Sequence, residues 1–155
     1  MSMENISRVI FALNSMIEIN DRRYRHYESL ADKFKNGELR KLFRAHAEQS
    51  KDYTADLNKW RSAYGATTYP EKNFSVFSIT WSQVKGAFTM EPKGMLEQCE
   101  EIDSDALKVY NTAIALSFLP QAALHDIEEQ NQQLKKSHEN LMAIRRNYTM
   151  HALGM

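Results

Sequence analysis

The sequence predicts an all-helical protein, a bundle of four long helices, on three observations. Glycine and proline number only five and three in 155 residues, and their clustering leaves long uninterrupted segments. Within those segments apolar residues recur at spacings of three and four, the period of one helix face. The breaks between them fall at Asn36-Gly37, Gly65 and Ser117 to Pro120, where capping and turn residues stand. A chain of this length suits a single domain, residues 1–155, with a core that needs no disulfide or metal to hold it.

The first helix is expected over about 4–35, where Ile6, Val9, Ile10, Leu13, Ile17, Tyr24, Tyr27 and Leu30 form the stripe, and Gly37 is expected to supply a left-handed cap. The second, over about 38–64, carries Leu39, Leu42, Phe43, His46, Ser50, Tyr53, Leu57 and Trp60. A connection over 66–93 is too long for a turn between antiparallel neighbours. Within it Phe74, Phe77, Trp81, Val84 and Phe88 repeat at three and four, so a short amphipathic helix is expected at about 75–88, laid across the bundle. The third helix, about 94–116, shows Leu96, Cys99, Ile102, Ala106, Val109, Tyr110, Ala113 and Ile114. Pro120 is expected to be the first residue of the fourth, about 120–150, since a missing N–H costs nothing there. Two helical hairpins joined by one long crossover make the ferritin-like arrangement of a bundle.

Composition excludes more than it assigns. Twenty basic residues balance twenty acidic ones, so no net field favours nucleic acid or anionic lipid. Lone Cys99 can form no internal disulfide, which suits a reducing cytoplasm, and on its stripe it is expected to be buried and inert. Glu4, Asn5, Ser7, Arg8, Asn14 and Glu18 interrupt the first twenty residues, which therefore read as neither a signal peptide nor a membrane span. No glycine-rich phosphate loop, paired cysteines or Gly-x-Ser-x-Gly turn occurs. The run Arg22, Arg23, Arg25, His26, flanked by Glu18, Asp21 and Glu28, reads as a solvated helix face. The aromatic crossover and zero net charge point to self-association, most simply a dimer.

Chemistry in a bundle is built from polar side chains on the inward stripes. The candidates are Asn20 on the first helix; His46, Ser50 and Tyr53 on the second; Glu100 and Asp103 on the third; and Asn131, Lys135 and His138 on the fourth. Counting from the turns, Asn20 stands level with Tyr53 and Glu100 with His138. Such a layer can serve purely to fix register. The sharper alternative is a two-metal centre, which takes a Glu-x-x-His pair from each of two helices. Arg23, Phe43, Ala122, Lys135 and Tyr148 stand three residues before the five histidines, so the pair occurs nowhere.

The stretches Leu13 to Tyr27 (LNSMIEINDRRYRHY), Glu97 to Tyr110 (EQCEEIDSDALKVY) and Ile127 through His138 to Arg145 resemble an uncharacterised bacterial family of ferritin-like proteins, a domain of unknown function distantly related to the YciE/YciF stress proteins. The resemblance spans about Arg8 to Arg146. It implies the ferritin-like fold and a link to stress physiology, and no activity. Set against metal-binding ferritin-like proteins such as rubrerythrin, Asn20, Ser50 and Tyr53 stand where ligands would, helix three keeps Glu100 and Asp103, and Lys135 with His138 replaces the last Glu-x-x-His. The expectation is therefore a non-enzymatic, stress-associated binding or assembly protein without cofactor, in which Lys135 points inward and pairs with Glu100 or Asp103. The alternative is a di-iron/di-manganese-type oxidoreductase or iron-handling protein with an atypical site on Glu100, Asp103 and His138, with or without His46.

Overall fold

The computed structural model describes residues 2–65 and 91–152, with side chains as far as Tyr148. Four helices account for nearly all of them, and no strand occurs among the described residues: α1 (Met3–Lys33), α2 (Gly37–Ala63), α3 (Pro92–Ile114) and α4 (Gln121–Ala152). The short helix expected at about 75–88 lies outside the described residues. None of the described helices is long and apolar enough to cross a membrane.

Local chemistry explains where each helix starts and stops. Ser2 caps α1, its hydroxyl accepting from the Asn5 N–H at 3.1 Å, and so satisfies one donor that the first turn leaves open. The helix ends at Lys33 because Phe34 turns extended (φ −108°, ψ 134°) and buries its ring. Gly37 does not cap α1 as the sequence suggested. Instead Asn36 caps α2, its Oδ1 accepting from Glu38 and Leu39 at 3.0 and 3.1 Å, and Gly37 is the first helical residue. The left-handed glycine is Gly65, at φ 81°, which closes α2 with its N–H on the Ser62 carbonyl. Pro92 rather than Gly94 opens α3. Pro120 sits one residue ahead of α4, its carbonyl accepting from the Leu124 N–H at 2.9 Å.

Residue numbers rise along each helix as they fall along its neighbours. Between α1 and α2, Asn14 meets Arg61 and Asp32 meets Arg44. Between α1 and α3, Asn20 meets Tyr110 and Arg23 meets Asp103. Tyr110 with Gln130 and Glu100 with Arg145 join α3 to α4. Trp60 with Asp126 and Gln49 with Ser137 join α2 to α4, the most loosely packed of the four neighbouring pairs.

The apolar core divides into two clusters. One gathers Val9, Leu13, Met16, Ile19, Leu57, Ile102, Ala106 and Leu134. The other gathers Tyr27, Leu30, Phe34, Phe43, Met95, Leu96, Cys99 and Leu141. Each large side chain so buried contributes about 1.5–3 kcal/mol relative to exposure. Polar side chains from all four helices lie at the junction of the two clusters.

Candidate functional site

Arg23 is the centre of that polar layer. Its side chain is 0% exposed and its partner Asp103 1% exposed, with the guanidinium Nε donating to the carboxylate at 2.7 Å. The guanidinium also donates through Nη1 to the His46 carbonyl at 3.0 Å and to the Ser50 hydroxyl at 2.8 Å. Its carbon lies 4.8 Å from the centre of the Tyr27 ring, a cation–π approach. The Tyr27 hydroxyl in turn donates to the second oxygen of Asp103 at 2.7 Å. One buried charge pair thus draws on α1, α2 and α3 at once.

Such a pair withstands burial only with good geometry and added hydrogen bonds, and its ionisation follows from them. Burial alone would raise the Asp103 carboxyl; Arg23 beside it, with His138 and Tyr27, outweighs burial and holds it below the usual range. Burial likewise works against the Arg23 charge, and Asp103 more than restores it. Burial pushes the Tyr27 phenol and the Cys99 thiol well up, so both stay protonated. His46, packed edge-on against Tyr27 at 4.9 Å, is lowered to about 4 by burial and then by Arg23. It is a neutral imidazole at neutral pH, and its Nδ1 is buried with no hydrogen-bond partner among the described residues.

His138 stands at the edge of the layer, on α4. Its Nδ1 is 3.6 Å from Asp103 Oδ2 and its side chain is 17% exposed. That separation is too long for a good hydrogen bond, so the attraction is chiefly electrostatic. The Asp103 carboxylate raises the imidazole above its ordinary value against the pull of burial.

A second chain of bonds continues toward the other cluster. Asn20 donates to the Met16 carbonyl at 2.9 Å and to the Tyr110 hydroxyl at 2.8 Å, and Tyr110 donates to Gln130 Oε1 at 2.7 Å. Tyr53, buried, donates to Gln133 across the seam between α2 and α4.

Of the residues singled out in the sequence, His46, Ser50, Asp103 and His138 are brought together around Arg23, and Asn20 belongs to the adjoining chain of bonds through Tyr110. Asn131 is buried but faces away from the ion pair, its amide donating to Asn111 at 3.3 Å. Lys135 is exposed, contrary to expectation, and the two acids take arginines instead: Asp103 pairs with Arg23, and Glu100 with Arg145. Between α3 and α4 the level differs from the count by about one turn, so Asp103 lies against His138 while Glu100 acts on the ring from farther off. The reading of Arg22, Arg23, Arg25 and His26 as a wholly solvated face fails at two members, since Arg23 and His26 are buried.

A match to the family described as Domain of unknown function (DUF2383) covers residues 8–116. The chain belongs to this family. No curated protein matches it. In this DUF2383 protein the matched stretch includes Arg23, Tyr27, His46, Ser50 and Asp103, while Gln130 and His138 of α4 lie beyond it.

The layer does not fit a metal pair. Among the described residues no three His, Cys, Asp or Glu side chains gather closely enough to hold an ion. The atypical set of Glu100, Asp103 and His138 is divided, because Asp103 spends its oxygens on Arg23 and Tyr27, Glu100 spends its own on Arg145, and a guanidinium already occupies the centre. Nor does Asp103 suit general-base work, being 1% exposed, depressed and bonded through both oxygens. The arrangement can fix the register of the helices and, at His138, exchange a proton with solvent.

Proposed function

We propose that this protein is a ferritin-like bundle, two antiparallel hairpins joined by a long crossover, that has a protein-supplied ion pair where metal-binding ferritin-like proteins such as rubrerythrin hold two metals. It acts through its surface as a non-enzymatic, stress-associated binding or assembly protein, most simply as a two-fold dimer. The observation that carries this reading is the Arg23 guanidinium, 2.7 Å from Asp103 and further tied to Ser50, the His46 carbonyl and the Tyr27 ring. A cation that the chain itself provides makes a bridging metal redundant and repels one.

Metal analysis of protein purified without chelator, before and after incubation with ferrous iron or manganese, tests it. The expected result is substoichiometric metal and an unchanged melting temperature. Two ions per chain that raise the melting temperature would overturn the reading and favour an oxidoreductase or iron-handling protein. Light scattering across a wide concentration range tests the dimer, which a constant monomer mass would refute.

A further inference from the structure

Every member of the ion-pair cluster but one is sealed from water. Arg23, Tyr27 and Ser50 are 0% exposed, Asp103 1% and His46 5%, whereas the His138 side chain keeps 17% of its surface open. His138 is also the member that α4 contributes. Asp103 is held from below by Arg23 and Tyr27 on α1, and its second oxygen faces His138. On its other side α4 meets α2 across a loose seam carried by polar contacts, Gln49 with Ser137, Tyr53 with Gln133 and Trp60 with Asp126. We propose that His138 is a proton-operated latch that fastens α4 to the buried Arg23–Asp103 pair.

The groups facing the imidazole settle the sign. From α3 come Asp103 and Glu100, both favouring the charged ring, although Glu100 is shared with Arg145 of α4 itself. From α1 comes Arg23, which opposes it from farther away, behind Asp103. On α2 the titratable group of the cluster is His46, uncharged at neutral pH. The near carboxylate prevails. A histidine whose charged form is favoured in the fold adds stability that is complete below its ordinary pKa and lost as pH rises through the raised value. The latch is therefore closed below the ordinary histidine value and loosens as pH rises through the raised one. It loosens at α4 alone, because Arg23, Tyr27 and Asp103 keep their mutual bonds. Nδ1, which faces Asp103, is itself buried, and the 17% of the side chain that stays open lets the imidazole exchange its proton with solvent without opening the core.

The full chain tests this by amide hydrogen exchange, corrected for intrinsic rates, at pH 6 and pH 8.5, with an NMR titration of His138 alongside. Protection in 121–148 should fall several-fold at the higher pH while protection in α1 and α3 around Arg23 and Asp103 holds. In His138→Gln, which keeps a polar side chain and cannot gain the charge, the difference between the two pH values should vanish. The latch is refuted if the wild-type imidazole titrates at or below its ordinary value, a measurement that requires no variant to fold. It is equally refuted if His138→Gln keeps the same pH-dependent loosening, or if α1, α3 and α4 loosen together.

Discussion

Arg23 shows what a single buried charge does to a bundle. Removing one partner of a buried pair strands the other, at a cost of about 3–5 kcal/mol, whereas replacing the whole group by apolar residues of like volume is often neutral. Arg23→Met should accordingly destabilise by about that amount, as should Asp103→Leu. The triple change Arg23→Met, Tyr27→Phe, Asp103→Leu, which leaves neither the charge nor the Tyr27 hydroxyl stranded, should recover most of the loss in urea unfolding. A triple variant no better than the singles would mean that the layer contributes net stability and does more than set register. His46 gives a second prediction. Its value is lowered in the fold to about 4 from 6.5, so below pH 6.5 the unfolded chain takes up the proton first and stability falls until about pH 4. Buried His26, also lowered, adds to the same fall. His46→Gln should flatten the decline in urea midpoint between pH 7 and 4.5; an unchanged decline would assign it to other groups. Arg23 was hidden in the sequence because three arginines in four positions resemble a solvated face. The signal was there nonetheless: Val9, Leu13, Met16, Asn20, Arg23, Tyr27, Leu30 and Phe34 are all buried and are spaced alternately four and three, the repeat of a packed helix seam. Lys135 misled for the converse reason. On α4 the buried repeat runs through Ile127, Gln130, Leu134, Ser137 and Leu141, one residue to the side of Asn131, Lys135 and His138.

At the scale of elements, the helices were legible because their breaks and stripes agree, and their ends less so because capping depends on backbone angles that composition does not report. Two glycines illustrate the difference. Gly65 stands at φ 81°, where an added Cβ would meet no atom of the described residues within 4 Å but would still strain the backbone. Gly65→Ala should therefore cost about 1–2 kcal/mol, the strain of a left-handed L-residue. Gly37 is helical, at ordinary φ, with the same open space, so Gly37→Ala should stabilise by about 0.4–1 kcal/mol through the unfolded chain. Urea midpoints of the two variants should move in opposite directions. A loss in both would mean that Gly37 is also constrained, and a gain in both that Gly65 carries no strain. The seam between α2 and α4 was partly legible, since the apolar stripe of α4 is the weakest of the four, and polar residues Gln49, Tyr53, Gln133 and Ser137 meet across it.

Over the whole molecule, the polar layer is both a joint and a fault. It lies where two apolar clusters meet, one holding Leu13 and the other Leu30, and three of the four helices are tied through its ion pair. The ion pair is bonded from three helices, although Arg23 Nη2, His46 Nδ1 and Asn20 Oδ1 find no partner among the described residues, and the low dielectric that strengthens such bonds makes breaking them costly. In the intact protein the clusters should therefore unfold together, with fluorescence and circular dichroism following one urea transition. Leu13→Ala and Leu30→Ala, each expected to cost about 2–5 kcal/mol, lie in different clusters and share no neighbour, so their costs should add to within about 0.5 kcal/mol. Arg23→Met should change the form of unfolding as well as its midpoint. With Asp103 stranded at the junction, the cluster around Tyr27, Phe43 and Met95 loses its tie to the rest, and Leu30→Ala on that background should split the transition in two while Leu13→Ala merely shifts it. A single sharp transition in the Arg23→Met, Leu30→Ala double variant would show that apolar contacts alone carry cooperativity along the bundle, and that the ion pair sets register without transmitting it.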